Sequence, residues 1–426
     1  MRKILMIFVV LICIVGGVFV ILWESGMFGE SAGGRRSVDN DITEKSPDVS
    51  DNADAADKTT SETIDPNADE KPVDTTETTE DAVSELVDKT MAEMSLHDKV
   101  CQMMFVTPEG LTGTDDVMVA GDATKQALQA YPVGGIIYFA NNFDNVDQTR
   151  DMISNTQSYS KIGLFIATDE EGGRVNRIMD TLGTTYIGPM YDYKDDGPDA
   201  AFENAKTIAS DMSALGFNLD FAPVADVWSN PDNTVIGDRA YSDDYAQAAE
   251  LVGSAVKGFQ DGGVICTLKH FPGHGDTAED SHYSSAYVNR TKAQIMADEM
   301  QPFRTGIDAG AELVMVGHLI VPDIDELPST LSYKIATEML RGDMEFDGVA
   351  ITDSMEMESI ADNYGVADSA VMAVQAGMDM LLQPADLAVA VNAIVTAVQN
   401  GDITEPRIDE SVRRILTLKA ERGLLE

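Results

Sequence analysis

Ionisable side chains follow several apolar runs of the sequence, each at the point where the run ends. They are Asp169, Asp226, Lys269 with His270, His318 and Asp353. Carboxylates and imidazoles exchange protons, and a carboxylate can also attack an electrophilic carbon. One such residue at the end of a run has a ready structural explanation. Five runs that all end in ionisable groups predict one shared active site.

Two chemistries fit these residues less well. Four of the 5 histidines, namely His270, His274, His282 and His318, lie close together in the sequence with several aspartates, and imidazole with carboxylate suits zinc. However, the sequence has no HExxH pair at helical spacing. The glycines of residues 171–174 and 273–275 also lack the spacing of both common phosphate-binding loops. We therefore expect neither a metal nor an organic cofactor.

Glycoside hydrolysis is the third candidate. This reaction passes through an oxocarbenium-like state and needs a carboxylate on one face of the sugar and a proton donor on the leaving group. Asp353, at the end of an apolar run, fits the carboxylate. His282 fits the donor, because an unperturbed imidazole titrates near neutral pH and Asp280, two residues before it, can orient the ring.

A family resemblance supports this reaction. Residues 269–277 (KHFPGHGDT), followed by Asp280-Ser281-His282, resemble the signature of glycoside hydrolase family 3 in its β-N-acetylglucosaminidase branch. Further matches to that family lie in residues 169–175, in 223–227 with 236–239, and in 352–357, so that the resemblance covers about residues 84–422. Glu170 departs from the family motif D-Q-E, which carries glutamine at that place, and we interpret it as a turn residue rather than a third acid.

The resemblance implies a role for each matched residue. Asp353 would be the nucleophile that forms a covalent glycosyl-enzyme, and His282 would be the general acid and then the base, with Asp280 as its partner. The expected sugar-binding residues are Asp169, Arg174, Arg239, Lys269, His270 and His318.

The resemblance also implies an activity. It predicts a retaining, exo-acting β-N-acetylglucosaminidase (a β-N-acetylhexosaminidase) that acts on peptidoglycan fragments or chitooligosaccharides terminating in N-acetylglucosamine (GlcNAc). A β-N-acetylglucosaminide phosphorylase and a non-catalytic glycan-binding module stay open as alternatives. A β-glucosidase is less consistent with the chain, because that branch of the family takes its acid from an extra domain.

Alternating β and α patterns must position these residues. Near-continuous apolar runs separated by helices are typical of parallel strands that are buried on both faces. The eight runs are Gln102–Val106, Gly135–Phe139, Leu164–Thr168, Leu219–Val224, Val264–Lys269, Leu313–Gly317, Val349–Thr352 and Met378–Leu382. The helices expected between them include Ala201–Leu215, Asp244–Asp261, Lys292–Ala309, Val366–Ala376 and Leu387–Gln399. Eight β/α units predict an α/β fold of the (β/α)8 barrel type, whose active site lies where the strands end.

Three segments differ in composition. Residues 1–23 contain 20 uncharged residues after Arg2 and Lys3, enough to span a bilayer of about 30 Å, and we expect a transmembrane anchor, with a cleaved signal peptide as the alternative. Residues 24–81 hold 17 acidic and 5 basic residues with few large apolar ones, and predict a disordered acidic linker. Residues 82–426 then form one barrel domain.

The overall charge restricts partners and location. A formal net charge of −44 disfavours nucleic acid as a partner, because phosphates would be repelled. Only 3 cysteines exclude a disulfide-stapled scaffold. The positive residues before the apolar segment predict a cytoplasmic N-terminus and a catalytic domain outside the cell, held at the membrane by a single span. We expect that domain to be monomeric.

Overall fold

Short apolar runs form the strands, and almost every residue in these strands is buried. The computed structural model describes residues 75–277 and 286–426. Within these two ranges the strands are β1 (Met104–Val106), β2 (Gly135–Ile137), β3 (Phe165–Thr168), β4 (Leu219–Asp220), β5 (Thr267–Phe271), β6 (Ala286–Tyr287), β7 (Leu313–Val316), β8 (Leu319–Ile320), β9 (Val349–Thr352) and β10 (Leu381–Leu382). All eight predicted runs overlap a strand, and β5 extends two residues beyond its predicted run, to Phe271.

The strands close into a parallel barrel. One sheet has the order β10-β1-β2-β3-β4, and a second has the order β5-β7-β9, with parallel pairing throughout. Parallel bridges from Leu219 to Ile265 and from Val224 to Lys269 join β4 to β5. Another bridge, between Ile351 and Met380, joins β9 to β10. The predicted (β/α)8 barrel is therefore confirmed, and its strands end at one face.

Helices cover the outside of the barrel. In the described ranges they are α1 (Thr75–Glu93), α2 (Leu96–Gln102), α3 (Pro108–Thr112), α4 (Asp122–Ala130), α5 (Val146–Tyr159), α6 (Met179–Leu182), α7 (Pro198–Leu215), α8 (Tyr245–Asp261), α9 (Lys292–Ala297), α10 (Met300–Asp308), α11 (Glu358–Ala361), α12 (Val366–Ala376), α13 (Leu387–Asn400) and α14 (Glu405–Glu421). A π-helix spans Lys334–Asp343. Short 3₁₀-helices span Ala140–Asn142, Met190–Asp196, Gly237–Arg239 and Ser329–Leu331. Because the helix faces and strands share one apolar core, the barrel holds the loops at its strand ends in fixed places.

Two elements differ from the sequence prediction. The helix expected over Lys292–Ala309 is two helices, α9 and α10, separated at Asp298 and Glu299. Pro302 explains the break, because its ring has no N–H and would clash with the carbonyl of Asp298 in a continuous helix. Strands β6 and β8 were not expected, and they pair with each other outside the barrel sheets.

The N-terminal predictions fall largely outside the described residues. The anchor (residues 1–23) and most of the linker (residues 24–74) lie there and stay predictions. Helix α1 begins at Thr75, so the last part of the expected linker, residues 75–81, is helical. These residues contain no glycine or proline, and the helix that Val87 anchors in the core can therefore extend through them. No helix in the described ranges is long and apolar enough to span a membrane.

Candidate active site

The predicted site residues lie at the ends of the barrel strands. Asp169 directly follows β3, Lys269 and His270 are in β5, His318 lies just after β7, and Asp353 follows β9. In a parallel barrel these ends meet at one face, where the loops form the active site. The predicted dyad, Asp280 and His282, lies outside the described residues, so its position stays a prediction.

A buried cluster of ion pairs joins the ends of β3 and β5. The Lys269 Nζ atom is 2.9 Å from Asp169 Oδ1 and 2.6 Å from Glu171 Oε1. Arg239 donates two hydrogen bonds of 2.8 Å to the two carboxylate oxygens of Glu171. Of the predicted sugar ligands, the cluster brings together Asp169, Lys269 and Arg239. Glu171, which holds the two cations, was not predicted, although it is part of the matched run 169–175.

The charges in this cluster stabilise one another. Burial disfavours ionisation of Glu171, but Arg239 and Lys269 outweigh it and hold the pKa of Glu171 well below its usual range. The pKa of Lys269 is raised in spite of its burial, because Asp169 and Glu171 surround the ammonium group. Glu171, Arg239 and Lys269 are therefore charged at neutral pH. Charged groups of this kind form strong hydrogen bonds to ligand hydroxyls.

Asp226 fixes the orientation of His270. Its buried carboxylate accepts a hydrogen bond of 2.7 Å from His270 Nδ1, and it also accepts bonds from the backbone N–H groups of His270 and His274. Burial opposes ionisation of Asp226, yet His270 and its other donors hold the pKa of this carboxyl below its ordinary value. Since Nδ1 carries the proton, Nε2 is the ring atom that can face a ligand. Burial lowers the pKa of His274 to about 4, so that ring is neutral.

The nucleophile candidate, Asp353, and His318 from the end of β7 both contact Ser354, in the segment after β9. The backbone N–H of Asp353 bonds to the carbonyl of Val316 in β7, and Asp353 Oδ1 accepts a 2.8 Å bond from the N–H of Ser354. His318 is buried, with its Nε2 atom 2.8 Å from the carbonyl oxygen of Ser354 and its Nδ1 atom 2.8 Å from Thr330 Oγ1. A sugar contact of His318 would therefore have to replace one of these hydrogen bonds.

Arg174 contacts the segment that precedes Arg239. Its Nη2 atom donates to the carbonyls of Val235 and Ile236, and its Nε atom is 3.0 Å from Asp238 Oδ1. These contacts brace the loop that leads to Arg239. In this structure Arg174 therefore supports a neighbouring loop, and the sugar contact expected from it stays a prediction.

Arg177 lies beside Asp169, one of the predicted sugar ligands. Its Nη2 atom is 3.6 Å from Asp169 Oδ2, and its guanidinium lies 5.6 Å from the ring centroid of Phe139. Its Nε atom is buried and has no hydrogen-bond partner among the described residues. Arg177 was missed from the sequence, where the only signal is a second arginine three positions after Arg174.

The described side chains do not assemble a metal site. In residues 75–277 and 286–426, no group of three or more His, Cys, Asp or Glu side chains is arranged to hold a metal ion. His270 and His274 both contact Asp226, but they do so through one ring nitrogen and two backbone N–H groups. These contacts hold the loop after β5 in place. They do not direct the lone pairs of these side chains at one point where a metal ion could bind.

Comparisons with known proteins agree with this geometry. The sequence pattern of the glycosyl hydrolase family 3 N terminal domain matches residues 95–418. Beta-hexosaminidase A of Pseudoalteromonas piscicida is 33% identical over 332 residues, which cover 70% of this chain and 55% of that protein. Beta-hexosaminidase of Idiomarina loihiensis is 34% identical over 299 residues, which cover 68% of this chain and 88% of that protein.

A solved structure shows a similar fold. The glycoside hydrolase family 3 β-N-acetylglucosaminidase from Paenibacillus sp. superposes with a TM-score of 0.73 at 38% sequence identity. The superposition covers 78% of this chain and 63% of that one. The chain thus spans a little more than half of the Pseudoalteromonas protein and under two thirds of the Paenibacillus enzyme.

Proposed function

The chain belongs to glycosyl hydrolase family 3, and from this premise we propose that it is an exo-acting β-N-acetylglucosaminidase. It would remove terminal β-linked GlcNAc from peptidoglycan fragments or chitooligosaccharides. The similar proteins named β-hexosaminidase and β-N-acetylglucosaminidase support this class of substrate. The observation that carries the proposal is the buried ion-pair cluster at the strand ends, because it presents fixed charged groups to a polar, uncharged ligand.

The terminal sugar binds through its hydroxyl groups. The carboxylate of Asp169 accepts hydrogen bonds from hydroxyls, and the Lys269 ammonium donates to them. His270, with Nδ1 held by Asp226, offers Nε2 as a further acceptor. Arg177, which lies at Asp169, takes the binding role that the sequence had suggested for Arg174. Arg239 acts through Glu171, whose two oxygens it holds.

The reaction proceeds by double displacement with retention of configuration. Asp353 attacks the anomeric carbon and forms a glycosyl ester, while His282 donates its proton to the leaving glycosidic oxygen. Water then attacks the ester, His282 takes up the proton of that water, and Asp353 is released. Asp280 orients the ring of His282. An imidazole suits this role, because the protonated ring can donate and the neutral ring left behind places no second negative charge beside Asp353.

The proposed location and oligomeric state rest on the sequence predictions alone. The apolar segment before residue 24 would hold the chain at the membrane by a single span, with the barrel outside the cell. The acidic segment that follows would keep the barrel away from the bilayer, because like charges extend a linker. We propose that the barrel acts as a monomer.

The first test is release of p-nitrophenol from its β-N-acetylglucosaminide by the full chain purified in detergent. We expect turnover that falls at least about 10³-fold in Asp353→Ala, because the nucleophile is lost. Asp362→Ala is the matched control, since Asp362 is an exposed carboxylate in the same loop region. A 2-fluoro amino-sugar substrate should leave an adduct on Asp353 that peptide mass spectrometry detects, and an adduct on any other residue contradicts the assignment.

The same assay separates the alternatives. A rate that rises strongly with phosphate identifies a phosphorylase, in which phosphate replaces water as the acceptor. Faster turnover of the β-glucoside than of the β-N-acetylglucosaminide identifies a β-glucosidase. If the folded protein binds GlcNAc oligosaccharides but turns over neither glycoside, it is a glycan-binding module.

A further inference from the structure

Arg290 binds three groups that belong to other elements of the barrel domain. Its Nη1 atom donates to the hydroxyl of Tyr245 (2.6 Å), at the start of α8, and to Glu299 Oε1. Its Nη2 atom pairs with Asp298, which lies next to Glu299 in the break between α9 and α10. The break thus lets two neighbouring carboxylates face one guanidinium, whose fork of N–H donors matches them.

Glu299 is the buried member of this group, with 3% of its surface exposed. The Tyr245 hydroxyl, which accepts from Arg290, donates to Glu299 Oε1 (3.1 Å). The stem of Glu299 packs on Gly273, where a Cβ atom would lie 2.7 Å from Glu299 Cγ. One side chain therefore contacts two segments, namely the loop after β5 at Gly273 and the segment after β6 at Arg290.

The two segments joined by this side chain flank the predicted dyad in the sequence. The first is the loop after β5, which the structure describes as far as Thr277. The second begins at Ala286 in β6, which pairs with β8 just beyond the end of β7. Residues 278–285, which connect them, include Asp280 and His282. Because a chain has a limited reach per residue, the places of the two ends restrict where a short connection can run.

We propose that Arg290 and Glu299 are positioning residues, which hold both ends of this connection so that His282 reaches the glycosidic oxygen. The inference rests on the proposed function, in which His282 is the general acid. Proton transfer to the leaving group needs a hydrogen-bond distance between the two atoms, and a displacement of about 1 Å is costly. Arg290 suits this role because a guanidinium stays charged in proteins.

The first experiment compares two substrates that differ in their need for an acid. The 2,4-dinitrophenolate anion leaves without a proton, whereas phenolate leaves slowly unless the glycosidic oxygen is protonated. In Arg290→Gln we expect kcat/KM for phenyl β-N-acetylglucosaminide to fall about 100-fold, and that for the 2,4-dinitrophenyl glycoside to fall less than about threefold. The ratio of the two values does not depend on the fraction of folded enzyme, so partial misfolding cannot produce this result.

Three further variants calibrate the ratio. His282→Ala removes the acid itself and should show the same selective loss. Glu299→Gln keeps an acceptor oxygen and the packing on Gly273 but loses the charge, so we expect a loss of about tenfold for the phenyl glycoside alone. Arg304→Gln is the matched control, because Arg304 is an exposed arginine of α10, and its ratio should equal that of the wild type.

The second experiment measures the hold without substrate. Hydrogen–deuterium exchange is followed in the full chain for peptides that cover residues 270–277 and 286–292. We expect both peptides to exchange at least about fivefold faster in Arg290→Gln, because a buried carboxylate that has lost its cation no longer stays packed on Gly273. Arg304→Gln should exchange like the wild type. Faster exchange in residues 286–292 alone would show that Glu299 does not join the two ends, and would overturn the inference.

The outcomes separate this inference from the proposed function. Unchanged rates or equal losses for both glycosides in Arg290→Gln, with a selective loss in His282→Ala, overturn the inference and leave the proposed function intact. Equal losses in His282→Ala contradict the acid assignment, and this inference fails with it. A wild type that hydrolyses neither glycoside contradicts the proposed function itself, on which the inference rests.

Discussion

Asp226 shows how a side chain that need not touch the sugar can control one that does. Its carboxylate is inaccessible to solvent and receives donors from two residues, His270 and His274. A carboxylate that accepts from Nδ1 selects the form of His270 that is protonated on Nδ1, and a neutral ring in this form would carry its lone pair on Nε2. Asp226 therefore sets both the position and the hydrogen-bonding character of the ring.

Replacing Asp226 by asparagine should exchange the donor and acceptor roles of the two ring nitrogens of His270. In Asp226→Asn the amide NH₂ would donate to Nδ1, and the proton of His270 would move to Nε2. We expect kcat/KM for the p-nitrophenyl substrate to fall about 10–100-fold, the range for losing a charge-assisted hydrogen bond. Asp232→Asn is the control, because it makes the same change at an exposed position of the same loop. Equal kcat/KM in both variants would show that the tautomer of His270 does not matter.

The single residues differ in how far the sequence could identify them. Asp169, Lys269 and His270 stand in long matched runs, and the structure places them at the strand ends. Arg174 and Arg177 could not be told apart, because both follow the same glycine turn and only the folded turn shows which one returns to Asp169. The contact that brings Arg177 back runs from Glu170 to backbone N–H groups, which carry no sequence signal.

At the scale of elements, two loops pack against each other, and one of them directly precedes the predicted dyad in the sequence. The loop after β5 packs on the loop after β4, where Asn233 donates to the carbonyl of His274 and Asn230 contacts the backbone of Asp276. Gly275 lies so close that a Cβ atom there would be 1.7 Å from the carbonyl oxygen of Val227. Because the carbonyl oxygen of Val227 belongs to the backbone, this clash can be relieved only if one of the two loops moves.

A methyl group at Gly275 should therefore displace the loop that leads to His282. In Gly275→Ala we expect kcat for the p-nitrophenyl substrate to fall at least about tenfold, since small displacements of catalytic groups are costly. Gly365→Ala is the matched control, because a Cβ atom there meets nothing within 4 Å. Tm is measured for both variants, and a Gly275→Ala protein with wild-type kcat contradicts this account of the loop.

The elements themselves were largely predictable, and the exceptions have local causes. Buried parallel strands are continuously apolar, so each of the eight runs is visible in the sequence. The break between α9 and α10 was missed because Pro302 acts four residues upstream of its own position, on the carbonyl of Asp298. Strands β6 and β8 are two residues long each, and such short segments have no period to detect.

At the scale of the whole molecule, the two ends of the barrel use buried charge differently. Where the strands end, cations and carboxylates are paired in the ion-pair cluster. At the opposite end Lys419 of α14 is fully buried, and its ammonium donates to Gln102 Oε1 (2.9 Å) and lies 5.0 Å from the ring centroid of Phe165. No carboxylate of the described residues forms an ion pair with it. Burial lowers the pKa of Lys419 to about 7.

This lysine should make stability depend on pH above neutrality. The unfolded chain keeps the lysine protonated up to its ordinary pKa of 10.5, while the folded chain releases the proton near pH 7. Between these values the unfolded state binds more protons, so the free energy of unfolding rises with pH through this window. Below about pH 7 the folded state carries the full cost of a buried ammonium group, which is on the order of a few kcal/mol.

Lys419→Met removes that dependence and keeps a side chain of similar length. We expect the variant's stability relative to wild type to be most favourable at pH 6 and to decline by about 1–3 kcal/mol as the pH is raised to 9. Urea unfolding of both proteins at each pH gives this difference, in which the other titrating groups cancel. The substitution also removes the hydrogen bond from Lys419 to Gln102. That loss changes the stability difference by the same amount at every pH and leaves its dependence on pH unchanged. The exposed Lys161→Met variant should show no slope, and an equally flat difference for Lys419→Met would mean that Lys419 stays charged in the folded barrel.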